Sequence, residues 1–266
     1  MRAYTRVRVV REGAVETITL AYPERRNAIG PRMANELLWA IEDACGAEEV
    51  RVLVLTGEGN AFCSGGDFAE MAAGAQPSQL PPKGDFADLL LRLWRCEKPV
   101  VAKVNGHAMG GGLGLVGACT FALATAEARF GTPEIDVGLF PMIIMAVLAR
   151  HVPRRRILEM MLLGQKFDAA EAERLGLVNR VVATGALDAE VNALAEALSK
   201  KSPTAVRLGL RALAAQDDLD LERALPVLRE RLGEILATAD AREGLAAFLE
   251  KREPRWAAPI RSNDHG

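Results

Sequence analysis

The chain has 266 residues, 50% hydrophobic and 26% charged, with 33 basic against 35 acidic side chains and a net charge of −2. That length can bury a full core, and the interspersed charges exclude a nucleic-acid or polyanion footprint. Four scattered cysteines without a CxxC pair and only three histidines argue against a disulfide framework and a His-rich metal site, and point to reduced thiols in the cytoplasm.

Residues 1–13 carry charges throughout and no apolar core, so no secretory signal is expected there. The alternating, β-branched stretches RVRVV (6–10) and VETITLAY (15–22), separated by REGA, predict a hairpin. Met33, Leu37, Leu38 and Ile41 behind Pro31 have helical spacing and predict a helix over 31–45. VRVLVLTG (50–57) and PVVAKVNG (99–106) read as short buried strands, and 119–133 as a strand, a turn and a further short strand. Strands alternating with helices indicate an α/β core with a largely parallel sheet. Between them, residues 68–86 hold Gly74, Pro77, Pro81, Pro82 and Gly84 and form the one long loop-like region. The longest apolar run, 137–149, is too short to span a bilayer, so no membrane contact is expected. Beyond residue 153 the pattern is helical, interrupted only by a short strand in LVNRVVA (177–183), and no 20–50-residue sequence repeat is seen, which argues against a helical array.

Three stretches carry chemistry. GNAFCSGGDFAEM (59–71) and NGHAMGGGLGLVGAC (105–119) share one form: strand, Gly-rich turn, helix N-terminus. Each turn exposes backbone N–H groups where the helix dipole favours negative charge. Two such turns facing one another make an oxyanion hole, able to stabilise the enolate of a thioester that loses an α-proton. The third stretch, RFGTPEIDVGLFP (129–141), places Glu134 directly after a proline, as a candidate for proton transfer. Asp136 reads as a solvated or structural carboxylate, His107 as a packed or capping residue, and Cys63 as a buried inert thiol.

Taken together, FCSGGDFAEM (62–71), KPVVAKVNGHAMGGGLGL (98–115), FGTPEIDVGLFP (130–141) and AERLGLVNRVV (172–182) resemble, in order, the crotonase superfamily, the enoyl-CoA hydratase/isomerase family. The resemblance covers roughly residues 5–255. It implies an α/β spiral of ββα units over residues 1–200 and a helical trimerisation region over 201–266, assembled as a homotrimer or a dimer of trimers. It also implies an acyl-CoA thioester as partner, with CoA entering as part of the substrate and no separate cofactor or metal. By the same resemblance the thioester oxygen sits between the amides of Gly66 and Gly111, and Glu134 is the catalytic acid/base. Ser64 matches a backbone contact to the adenine, and Asp67 an acid that helps hold the loop. Arg25 and Lys251 match segments that reach CoA, Lys251 from a neighbouring subunit. Met142 and Met145 are candidates for an acyl pocket, since methionine adapts to varied shapes.

One departure matters. The family's hydratases carry a second glutamate early in the helix after the triple glycine, and Gly114 stands at that position. Gly114 is expected to leave space in the pocket or to be neutral. Bulky LFPMIIMAVLARHV (139–152) also replaces a Gly-rich family stretch. The leading expectation is hydration and dehydration at C2=C3 of an enoyl-CoA with a single glutamate. The alternatives are Δ3,Δ2-enoyl-CoA isomerisation and a catalytically weak acyl-CoA-binding protein.

Overall fold

The computed structural model describes residues 2–73 and 80–258. The predicted hairpin forms from β1 (Val7–Glu12) and β2 (Val15–Leu20), antiparallel, with Gly13 supplying the left-handed turn at φ 58°. Next comes α1 (Pro31–Gly46), whose Met33, Leu37, Leu38 and Ile41 are buried, as their spacing requires.

From here the chain repeats one unit. A buried strand enters a first sheet, a short strand steps into a second sheet, and a helix or helical turn returns. The first unit is β3 (Val52–Gly57), β4 (Ala61–Cys63), α2 (Phe68–Ala73) and α3 (Phe86–Trp94). The second is β5 (Val100–Val104), β6 (His107–Met109) and α4 (Gly111–Ala118). The third is β7 (Phe121–Thr125), β8 (Arg129–Gly131), a 3-10 turn at Pro133–Val137 and α5 (Met142–Leu148). These are the ββα units that the resemblance implies. Then follow α6 (Arg154–Leu163), β9 (Phe167–Asp168), α7 (Ala169–Arg174), β10 (Arg180–Val182) and α8 (Leu187–Ser199). The chain continues through α9 (Pro203–Gln216), α10 (Leu221–Leu236) and α11 (Ala239–Leu249).

The sheet expected to be largely parallel is two sheets. One has the order β1-β2-β3-β5-β7-β10 and the other β4-β6-β8-β9. Pairing is parallel throughout both except at β1–β2 and β8–β9. The two-residue β9 lies in the region expected to hold one strand only. So short a strand carries no alternation to read. Parallel strands buried on both faces explain the near-continuous apolar runs of β3 and β5. Leu187, Val191 and Ala195 of α8 cover Val52, Val54, Val101 and Leu123 on one face of the large sheet. Residues of α1, α3 and α4 fill the main core with the opposite-facing strand residues. No helix among the described residues is long and apolar enough to cross a membrane.

Candidate active site

The step from β4 into α2 is held from below. Asn27, fully buried, donates through Nδ2 to the carbonyls of Glu58 and Ala61, both at 2.9 Å, and accepts the Tyr22 amide at 2.9 Å. Ile29 then bridges the loop: its amide donates to Gly65 O at 2.7 Å, and its carbonyl accepts the Asp67 amide at 2.9 Å. Both loop contacts flank Gly66 and leave its own N–H pointing away from them. Among the described residues the Gly66 amide donates to nothing. The step from β6 into α4 gives a second such group. Gly110 turns at φ 48°, its amide bonded to Gly131 O at 2.8 Å, and Gly111 opens the helix. A first-turn amide has no acceptor within its helix, and the Gly111 N–H has none elsewhere among the described residues. The two turns are neighbours: a Cβ placed on Gly65 would lie 3.7 Å from the Gly111 nitrogen.

Gly66, Gly111 and Glu134 line one cavity of about 280 Å³. The rest of its wall is apolar, from Ile29, Phe68, Met71, Phe86, Met142 and Ile144 among others. Glu134 is the one titratable side chain on this wall among the described residues. It sits in the 3-10 turn after β8, and its Oε2 is buried with no hydrogen-bond partner among the described residues. Desolvation raises its pKa above the ordinary carboxylate value, opposed only by a bond from its own backbone N–H. Gly110 is required beside it, because a Cβ there would stand 2.6 Å from Glu134 Oε1 as well as straining the backbone.

The other expected residues are placed as follows. Met142 lines the cavity, whereas Met145, on the same helix, does not. Ser64 and Arg25 meet outside it: Ser64 Oγ donates to the Arg25 carbonyl at 3.1 Å, and both residues are exposed. Asp67 is buried and accepts the Glu70 amide at 3.1 Å, so its carboxylate is committed to the first turn of α2. Lys251 follows α11 at φ 52° and does not line this cavity. His107 accepts the Arg129 amide at Nδ1 (3.1 Å), a clip between neighbouring strands, and Asp136 is exposed. Part of the long loop, Gly74 and Pro77 with it, lies outside the described residues. Its return is pinned to α1, where Asn35 Nδ2 and Trp39 Nε1 both donate to Pro81 O, at 3.1 and 2.9 Å.

Gly114 requires a correction. It leaves no space in the pocket: a Cβ there would lie 2.4 Å from Ile144 Cγ2 and 3.0 Å from Ile144 Cβ. The bulky apolar stretch expected to reshape the pocket has moved into the volume that a side chain at 114 would need. Ile29, Phe86 and Ile144 were not recognised as pocket residues from sequence. Each comes to the cavity from a different helix or loop, and nothing local marks it.

As an arrangement, two unbonded amides and one desolvated carboxylate face an apolar cavity. It can receive a polarised oxygen at the amides and exchange a proton next to it. The comparisons with known proteins identify the family. The enoyl-CoA hydratase/isomerase family model matches residues 10–259. The mouse mitochondrial enoyl-CoA hydratase domain-containing protein 3 is 32% identical over 92% of this chain and 82% of its own length. An enoyl-CoA hydratase of Mycobacterium smegmatis superposes with a TM-score of 0.88 at 36% identity, covering 96% of this chain and 100% of its own. The human enoyl-CoA hydratase domain-containing protein 3 gives 0.87 at 30% identity, over 95% and 100%. By sequence along nearly its whole length and by the course of its backbone, the chain belongs to the enoyl-CoA hydratase/isomerase family of the crotonase superfamily.

Proposed function

We propose that the protein hydrates a 2-enoyl-CoA, and dehydrates the 3-hydroxyacyl-CoA, using Glu134 as its single acid/base. The observation that carries this reading is the meeting, among the described residues, of the unbonded Gly66 and Gly111 amides with the Glu134 carboxylate, whose Oε2 has no partner, on one apolar wall. The thioester oxygen accepts both amides. Glu134 takes a proton from water as its oxygen adds to C3. The negative charge moves to the thioester oxygen, where the amides hold it, and protonated Glu134 then delivers the proton to C2. Removing one such amide donor costs about 2.7–4 kcal/mol in comparable sites. The names of the relatives, enoyl-CoA hydratases, favour hydration. A second reading is favoured by the wall itself: among the described residues it offers no second carboxylate to position water, and moving a double bond between C3 and C2 needs one carboxylate only.

The test is turnover with purified protein. Crotonyl-CoA should lose its enone absorbance, and Glu134→Gln should slow that reaction by about 10²- to 10⁴-fold with CoA-ester binding intact. Gly111→Pro removes one amide at a helix position that accepts proline, and should lower kcat by about 10²- to 10³-fold. Gain of absorbance from a 3-enoyl-CoA, with crotonyl-CoA untouched, would assign the isomerase reading instead. Tight ester binding without turnover of either would leave a binding protein.

A further inference from the structure

Two cysteines that sequence spacing shows as unrelated are brought into contact by the fold. Cys45 lies at the end of α1 and Cys96 just past the end of α3, and their sulfurs are 3.5 Å apart. We propose that Cys45 and Cys96 form an oxidisable dithiol, which a hydroperoxide converts into an intramolecular disulfide. This inference stands apart from the acyl-CoA reading and uses none of its residues.

The two sulfurs have different surroundings. Cys45 is half-buried and opens onto a cavity of about 430 Å³ that also exposes Arg51, Lys98, Lys201 and Arg207. Cys96 is buried on this side but lines a second cavity of about 360 Å³ with Trp94 and His151. The Lys98 ammonium is fixed beside the pair, donating to the carbonyls of Ala44 at 2.8 Å and Ala47 at 2.6 Å. The hydrogen bond shared with Cys96 lowers the Cys45 pKa, with Arg92 and Lys98 adding to it against burial. The same bond, with burial, raises that of Cys96. The remaining cysteines are unlike these: burial pushes both Cys63 and Cys119 up to about 12. A half-exposed thiol with a lowered pKa, next to a second thiol, is the arrangement that oxidants select.

The steps balance. The Cys45 thiolate attacks one peroxide oxygen, the O–O bond breaks, and a sulfenic acid and one water (or alcohol) result. The Cys96 sulfur attacks the sulfenic sulfur and loses its proton, and the S–O bond breaks to release a second water. Both thiols are oxidised and the peroxide is reduced. The sulfurs need to close from 3.5 Å to about 2.05 Å. The bond would tie the end of α1 to the end of α3, the helix that carries Phe86 into the catalytic cavity.

The full-length protein is treated with hydrogen peroxide, denatured under acid quench, and its free thiols are titrated. The expected count falls from four to two, and digestion should yield one joined peptide containing Cys45 and Cys96, lighter than its parts by two hydrogens. In Cys96→Ser, a dimedone label should accumulate on Cys45. In Cys45→Ser, Cys96 should stay reduced at the same peroxide dose. Four remaining thiols in the wild type overturn the proposal without need of any variant. So does a link to Cys63 or Cys119, or one between two chains.

Discussion

Glu134 is expensive to keep in the free protein. Its Oε2 is buried and unpartnered among the described residues, and desolvation outweighs the one bond from its own N–H. The sign of the pH effect follows. Its folded pKa lies above its unfolded value, so between the two the folded chain holds more protons, and stability falls as pH rises through that window. As a base in hydration it must be ionised, so kcat/KM should climb with pH, with a midpoint above the ordinary 4.5. Glu134→Gln should abolish that ascending limb. It should also raise the melting temperature of the unliganded protein at pH values where the wild-type carboxylate is ionised. A pH–rate profile and thermal unfolding at several pH values check both. An unchanged limb in the variant would remove Glu134 from the reaction.

Among the elements, the contact between α4 and α5 is the most consequential. Gly114 lets Ile144 pack against the helix backbone, and Ile144 in turn walls the cavity. Overpacking a closed core costs about 1–3 kcal/mol. Gly114→Ala should therefore lower stability by that order in denaturant unfolding, and Ile144→Ala should restore much of the loss in the double variant. If the two costs simply add, the two residues are not in contact. Gly114→Glu alone then has no room, and restoring a second acid needs Ile144 cut back as well. This pairing was illegible in the sequence, because each residue's local context is an ordinary apolar helix. What was legible was local. The hairpin around Gly13, the helix behind Pro31 and the Gly-rich turns at 65–66 and 110–112 all declare themselves within a few residues. The division into two sheets was not, because β4 and β6 are three-residue strands, too short to show an alternation, and they pair with each other and not with β3 and β5. The meeting of Cys45 with Cys96 was hidden for the same reason.

Seen whole, the molecule is unevenly buried. The sheets and their covering helices hold nearly all the core, while α9, α10 and α11 contribute one buried alanine each, Ala212, Ala224 and Ala247. Eight of their large apolar side chains are exposed, among them Phe248 at 80% and Leu249 at 79%. Surfaces of this kind mark association. We expect self-association through these helices, and light scattering on a sizing column should give a multiple of the 28.6 kDa chain mass. Phe248→Ser with Leu249→Ser should shift it toward the single chain, and a wild type already at single-chain mass would refute the expectation.

The short sheet has a role beyond filling. Gly66 follows β4 and Gly111 follows β6, and those strands are held side by side by only two pairings, Ala61 with His107 and Cys63 with Ala108, across an irregularity. A slip of one residue would displace one donor by about 3.3 Å relative to the other, more than a hydrogen bond's length. The spacing of the two amides is thus set by strand alignment. It moves in whole-residue steps and not by degrees.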